Sequence, residues 1–151
     1  MVDSTASSPS LMCPKCVLPM TEWESRGLVL NHCHTCKGLW FDAGELQEYL
    51  ARSQARFDES QLDPVGNTTF SCPRCPGVRL ARARFDTVAL DVCPRCRGIF
   101  LDLGEVHALL GAVCRSTYAD DPALSKLDNQ ALGLYIAARL EESGGHGDRA
   151  R

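Results

Sequence analysis

Eight of the nine cysteines in this chain of 151 residues fall into Cys-x-x-Cys pairs. The pairs are Cys13 with Cys16, Cys33 with Cys36, Cys72 with Cys75, and Cys93 with Cys96. Such a turn lets two sulfurs converge on one point. Sixteen residues separate the first two pairs and seventeen the last two. That interval suits a hairpin that returns the second turn to the first, and it matches the spacing of four-thiolate zinc sites. Four thiolates at ~2.3 Å complete a tetrahedral shell around the ion. The expected load is Zn2+, two per chain, with these eight cysteines as the ligands.

Other chemistries fit less well. Redox Cys-x-x-Cys chemistry needs a lowered thiol pKa and a thioredoxin-like βαβ support, and no such pattern is present. An iron–sulfur cluster also takes four thiolates, but regular pairing repeated twice favours zinc. His32 and His34 flank Cys33, whereas the second set has Val92 and Pro94 there. The shared scheme therefore needs neither histidine. A zinc closed by four cysteines keeps no position for a reacting water. The chain also lacks G-x-S-x-G and Gly-rich phosphate-loop motifs. No catalytic residues are assigned, and the expectation is a protein that is not an enzyme. The ninth cysteine, Cys114, stands in no pattern and reads as a partly buried structural residue. His107 reads as a surface residue.

The elements that must position these ligands occur twice. Cys13 to Leu50 is repeated as Cys72 to Leu110, and the second copy has one extra residue between its pairs. In each copy a Cys-Pro-x-Cys turn opens a hairpin, spanning Met20–Trp23 and Leu28–Asn31 in copy one. The second pair closes the hairpin. Gly38 and Gly98 follow the last ligand and suit a tight backbone turn. Leu39-Trp40-Phe41 or Ile99-Phe100-Leu101 then leads into a short helix. Asp42 with Glu45, and Asp102 with Glu105, have the spacing of a helix N-cap and its capping-box partner. The fold expected is a small zinc-stabilised α+β protein: two tandem zinc ribbons, each a hairpin with cysteine knuckles and a helix, plus a C-terminal helix. Its boundaries are a disordered N-terminus (1–10), ribbon one (11–57), a linker (58–69), ribbon two (70–114), a helical segment (115–142) and a disordered tail (143–151). Asp63-Pro64 and Gly66-Asn67 read as loop signals in the linker.

The strings CPKC…CHTCKGLWFDAGEL and CPRC…CPRCRGIFLDLGEV resemble the transcription-factor-IIB-like zinc ribbon family. The resemblance covers about half the chain, and the Gly-x-x-x-Asp-x-Gly-Glu element makes it more specific than bare cysteine pairs. Copy two departs from the usual pattern at Phe100 and Val106. The resemblance implies zinc on the eight paired cysteines and no enzymatic activity. The family name suggests a transcriptional setting.

Three surfaces invite a partner. Arg74, Arg79, Arg82, Arg84, Arg95 and Arg97 crowd the second ribbon. Arg79, Arg82, Arg84, Arg95 and Arg97 are the candidate contacts to phosphate or an acidic protein. The competing reading is that they offset the negative charge of a four-thiolate site. Trp23, Trp40 and Phe41 form an aromatic edge, read as a small core between hairpin and helix. The C-terminal segment carries a stripe of Leu124, Leu127, Ala131, Leu134 and Ala138, widened by Leu132, Ile136 and Leu140. It must bury on the ribbons or pair as a homodimer. A formal charge of −3 argues against wholesale nucleic-acid binding, so nucleic acid is the less favoured partner and protein the favoured one. A zinc-gated redox sensor or chaperone is the alternative that eight thiolates raise. The polar N-terminus and the lack of a long apolar run point to a cytoplasmic protein with no membrane contact.

Overall fold

The computed structural model describes residues 11–149 apart from 26 and 54, with side chains placed as far as residue 139. The first copy supplies β1 (Thr21–Ser25), β2 (Leu28–His32), β3 (Gly38–Phe41) and α1 (Glu45–Ala51). A 3-10 turn at Glu59–Gln61 and strand β4 (Asp63–Ser71) follow. The second copy supplies β5 (Arg79–Phe85), β6 (Val88–Val92), β7 (Ile99–Asp102) and α2 (Leu103–Cys114). A 3-10 turn at Arg115–Tyr118 leads on to α3 (Asn129–Arg149). Both hairpins close with two-residue loops, since Ser25 pairs with Leu28 and Phe85 with Val88. Gly27 at φ 81° and Asp86 at φ 55° supply the positive φ such loops require.

The two copies form one antiparallel sheet of seven strands, in the order β1-β2-β3-β7-β6-β5-β4. The seam is β3 against β7, with Gly38 opposite Asp102, Leu39 opposite Leu101, Trp40 opposite Phe100 and Phe41 opposite Ile99. Trp40 and Phe100 hold equivalent places in the repeat, so a local twofold axis passes between them. Gly38 and Gly98 are not turn residues, and neither has positive φ. A Cβ on Gly38 would meet the Phe100 ring at 2.4 Å, and one on Gly98 would meet the Trp40 ring at 2.1 Å. Each glycine seats the aromatic residue of the other copy. Trp40 therefore packs across the seam, beyond the hairpin-and-helix core expected for it.

The expected linker is largely strand. β4 pairs with β5, with shifts between Pro64 and Gly66 and between Asn67 and Ser71. An edge strand tolerates a proline, and bulges absorb the irregular register. Those residues read as loop signals because sequence does not reveal that the edge is free.

Alternation gives the sheet two buried faces. Leu39, Phe41, Ile99 and Leu101 join Leu30, Leu90, Leu46, Leu50, Leu109 and Leu110 under the helices. Trp40, Phe100, Met20 and Leu80 point the other way and pack with Cys13, Cys33, Cys72 and Cys93. Helix α2 has the full capping box. The Glu105 N–H donates to Asp102 Oδ1 at 2.7 Å, and the Asp102 N–H donates to Glu105 Oε1 at 3.1 Å. Helix α1 departs from that expectation. Its N-cap is Gly44 at φ 83°, and only the Asp42 N–H to Glu45 Oε1 half of the box survives, at 2.8 Å. The Asp42 carboxylate is occupied elsewhere, by Trp40 Nε1 at 2.9 Å and by Arg74.

The C-terminal helix also begins later than its apolar stripe suggests. Asp121 caps a turn by accepting from the N–H groups of Ala123 and Leu124. The α3 cap is Asp128, which accepts from the Ala131 N–H at 2.7 Å. Among the described side chains of α3, Leu132, Gly133 and Ile136 are buried, while Leu134 is 49% exposed and Ala138 is exposed. The reason is a close helix crossing. A Cβ on Gly133 would lie 1.7 Å from the His107 carbonyl oxygen, and one on Gly111 1.9 Å from that of Asn129. The glycine pair sets which face docks on α2. Helix α3 runs to Arg149, through most of the expected tail. The expected N-terminal disorder and residues 150–151 lie outside the described residues.

Candidate metal centres

Each knuckle is built by short backbone bonds. In the first, the Val17 N–H donates to the Cys13 carbonyl and the Cys13 N–H to the Leu18 carbonyl, both at 2.8 Å. In the return turn, the Lys37 N–H donates to the Cys33 carbonyl at 2.9 Å, and the Arg97 N–H does the same to Cys93 at 3.0 Å. Lys37 and Arg97 sit at φ 64° and 66°, so the two copies share this turn. The extra residue of copy two lies in its first knuckle, between Cys75 and β5.

The turns bring Cys13, Cys16, Cys33 and Cys36 together, and likewise Cys72, Cys75, Cys93 and Cys96. Within each set all sulfurs lie within 4.8 Å of one another. Cys13 and Cys36 are 3.6 Å apart, Cys72 and Cys96 3.7 Å. Tetrahedral Zn–S bonds of ~2.3 Å put sulfurs about 3.8 Å apart. Backbone N–H groups point at the sulfurs: Cys16 at Cys13, Arg74 at Cys72, and both Arg95 and Cys96 at Cys93, each at 3.3 Å. Such donors stabilise thiolates.

Crowding divides the acidities. Burial pushes Cys13 up to about 11 and Cys72 higher still. Burial also opposes ionisation of Cys33 and Cys93, but N–H groups from Cys36 and Thr35, or from Cys96 and Arg95, together with neighbouring sulfurs, bring each down to about 7. Cys16, Cys36 and Cys75 are raised, first by burial. Four sulfurs this close cannot all ionise unaided, and a dication removes the conflict. The donor set, spacing and closure fit zinc. Each group is positioned to bind one ion, with no protein-free corner of the tetrahedron.

His34 Nε2 lies 3.1 Å from Thr21 Oγ1, and His32 stacks near Trp23 at 5.6 Å. Neither joins a sulfur set. Cys114 is buried at the end of α2, and its thiol is raised by burial. The arginines of copy two disperse. Arg82 pairs with Asp91 at 3.1 Å, and Arg97 with Glu59 at 3.5 Å. Arg74 grips Asp42 through two bonds of 2.6 and 2.9 Å. Arg79, Arg84 and Arg95 are exposed. Sequence reasoning missed the Arg74–Asp42 bridge between copies. The only cue was that Asp42 and Arg74 each sit beside a repeated motif.

A four-cysteine knuckle pair at the base of a hairpin, made twice in one chain, defines a tandem zinc-ribbon protein. Residues 12–52 and 71–112 match the transcription factor zinc-finger family, and the chain belongs to it. No curated protein and no solved structure matches the chain. Among the described residues no helix is long and apolar enough to cross a membrane.

Proposed function

We propose that this zinc-binding structural module is a non-enzymatic platform for another protein, acting in regulation, with transcription as the setting its family suggests. One observation carries the reading: both metal sites are closed by four cysteines and brace a single sheet. Zinc so bound contributes folding free energy and no reacting water. Three of the six arginines crowding copy two are engaged by carboxylates of the chain itself. That internal pairing reduces the cations this copy offers a phosphate-tracking surface to Arg79, Arg84 and Arg95.

The test is photo-crosslinking in cells from exposed positions on both hairpins. A reproducible protein adduct is expected, lost in a Cys33→Ser, Cys93→Ser double variant. Nucleic-acid adducts in place of protein would overturn the reading. So would zinc release and thiol oxidation by modest peroxide with no protein adduct, which is the redox-sensor outcome.

A further inference from the structure

The knuckle turns all use positive φ, at Val17, Lys37, Gly77 and Arg97, but the two copies fill the first of these positions differently. Val17 is a β-branched residue at φ 56° and is 67% exposed. Branched side chains rarely adopt that conformation. Its counterpart in copy two is Gly77 at φ 80°, which is unstrained. Beside Val17, Leu18 is 45% exposed and Met12 42%. The backbone bridge between Met12 and Pro19 holds them on one tip. The corresponding residues of copy two are Ser71 and a half-buried Val78.

The charges differ in the same sense. Arg74 and Arg97 of the second site are held by Asp42 and Glu59. Their counterparts in the first, Lys15 and Lys37, are exposed and have no ion pair among the described residues. One knuckle thus spends its cations inside the fold. The other keeps them beside an exposed apolar tip. The turn accounts for the φ, but not for a branched apolar side chain kept exposed there beside two others and next to those two lysines, and such a patch is a pointer to binding.

We propose that the tip of the first knuckle (Met12, Val17 and Leu18, flanked by Lys15 and Lys37) docks a short acidic, leucine-rich segment of a partner protein. This rests on the platform reading and names its partner by chemistry. The apolar residues give contact area, and the lysines select carboxylates over a basic segment.

The test is a titration of the zinc-loaded, 15N-labelled full chain with a synthetic peptide of leucines and glutamates, followed by amide shifts. A second peptide carries lysine for every glutamate. Shifts are expected at residues 12–19 and at Lys37 with the acidic peptide alone. Val17→Gly separates binding from folding, because it relieves strain while removing the contact. It should raise the melting temperature yet weaken binding about tenfold. Added salt should weaken binding to the native chain, whereas a Lys15→Glu, Lys37→Glu variant should bind comparably weakly to Val17→Gly and not be weakened further by salt. The proposal is overturned by equal binding of the lysine peptide, by unchanged affinity in Val17→Gly, or by no shift with the acidic peptide. It is also overturned by shifts at this tip on concentrating the chain alone, which would give the surface to a second copy. Shifts centred on α3 would sink the knuckle site and spare the platform, whereas failure of cellular crosslinking would sink the platform whatever the peptide does.

Discussion

Glycines in this protein do two different jobs, and substitution separates them. Gly98 lies outside the left-handed region, but its added Cβ would fall 2.1 Å from the Trp40 ring, which is fully buried. Gly44 is the reverse, at φ 83° with nothing within 4 Å of the added atom. Overpacking of a rigid ring costs ~1–3 kcal/mol, whereas an Ala held in the left-handed region costs ~1–2 kcal/mol with no effect on packing. Urea titration should therefore show Gly98→Ala destabilised by about 2–3 kcal/mol with altered Trp40 fluorescence. Gly44→Ala should lose about 1 kcal/mol with fluorescence unchanged. Equal fluorescence changes would refute the assignment of Gly98 to the seam. Val17→Gly should gain about 1 kcal/mol in the same assay. At this scale the ligands were legible, because a thiolate tetrahedron demands four cysteines at constrained spacing. The role of Gly98 was not, because its reason lies on the other copy.

Helix α2 carries a tension between capping and burial. Glu105 completes the box, yet burial raises its carboxyl to about 7; the bond from the Asp102 N–H opposes the rise, the Asp102 and Asp91 charges add to it, and Arg82 opposes it. The folded state thus holds its proton more tightly than the unfolded chain, whose ordinary value is 4.5. Between those values the native state binds more protons, so this group's contribution falls as pH rises from 4.5 to about 7 and is flat above. Glu105→Gln keeps the acceptor for the Asp102 N–H and removes the charge. At saturating zinc it should be about 1 kcal/mol more stable than the native chain at pH 8, a figure reduced for partial exposure. The difference should shrink by pH 6, and a constant difference would show that the charge is not the cause. Helix α3 poses a geometric question instead. Gly133→Ala should drive α3 off α2, read as faster amide exchange in both helices, since its methyl meets backbone at 1.7 Å. The start and strength of α2 were readable from Asp102 and Glu105. The docking face of α3 was not, since Leu134 and Leu132 are equally apolar in sequence and only the Gly111–Gly133 crossing chooses between them.

At the scale of the molecule, the repeat predicts two units, and the structure joins them. Spacing within each copy encodes its own knuckles and hairpin, but the pairing of β3 with β7 is long-range and leaves no local mark. The consequence is energetic coupling between two zinc sites that share no ligand. Leu39, Trp40 and Phe41 are each 0% exposed, and β7 supplies one flank of that burial. If site two fails and β7 loosens, β3 loses the flank, and Gly38, next but one to Cys36, loses the strand that holds it. Full burial of one such side chain is worth ~1.5–3 kcal/mol. That exceeds the ~1.4 kcal/mol that corresponds to a tenfold change in affinity. A Cys93→Ser chain should therefore bind its remaining zinc at least about tenfold more weakly than the native first site. In the native chain a competing chelator should remove both ions in one transition, accompanied by loss of the sheet. Two separated transitions, or an unchanged first site in Cys93→Ser, would mean that the seam is a contact between independent ribbons. The Arg74–Asp42 bridge offers an independent check. It ties the second knuckle to the end of β3, so Asp42→Asn should reduce the coupling between sites while leaving each four-cysteine set intact.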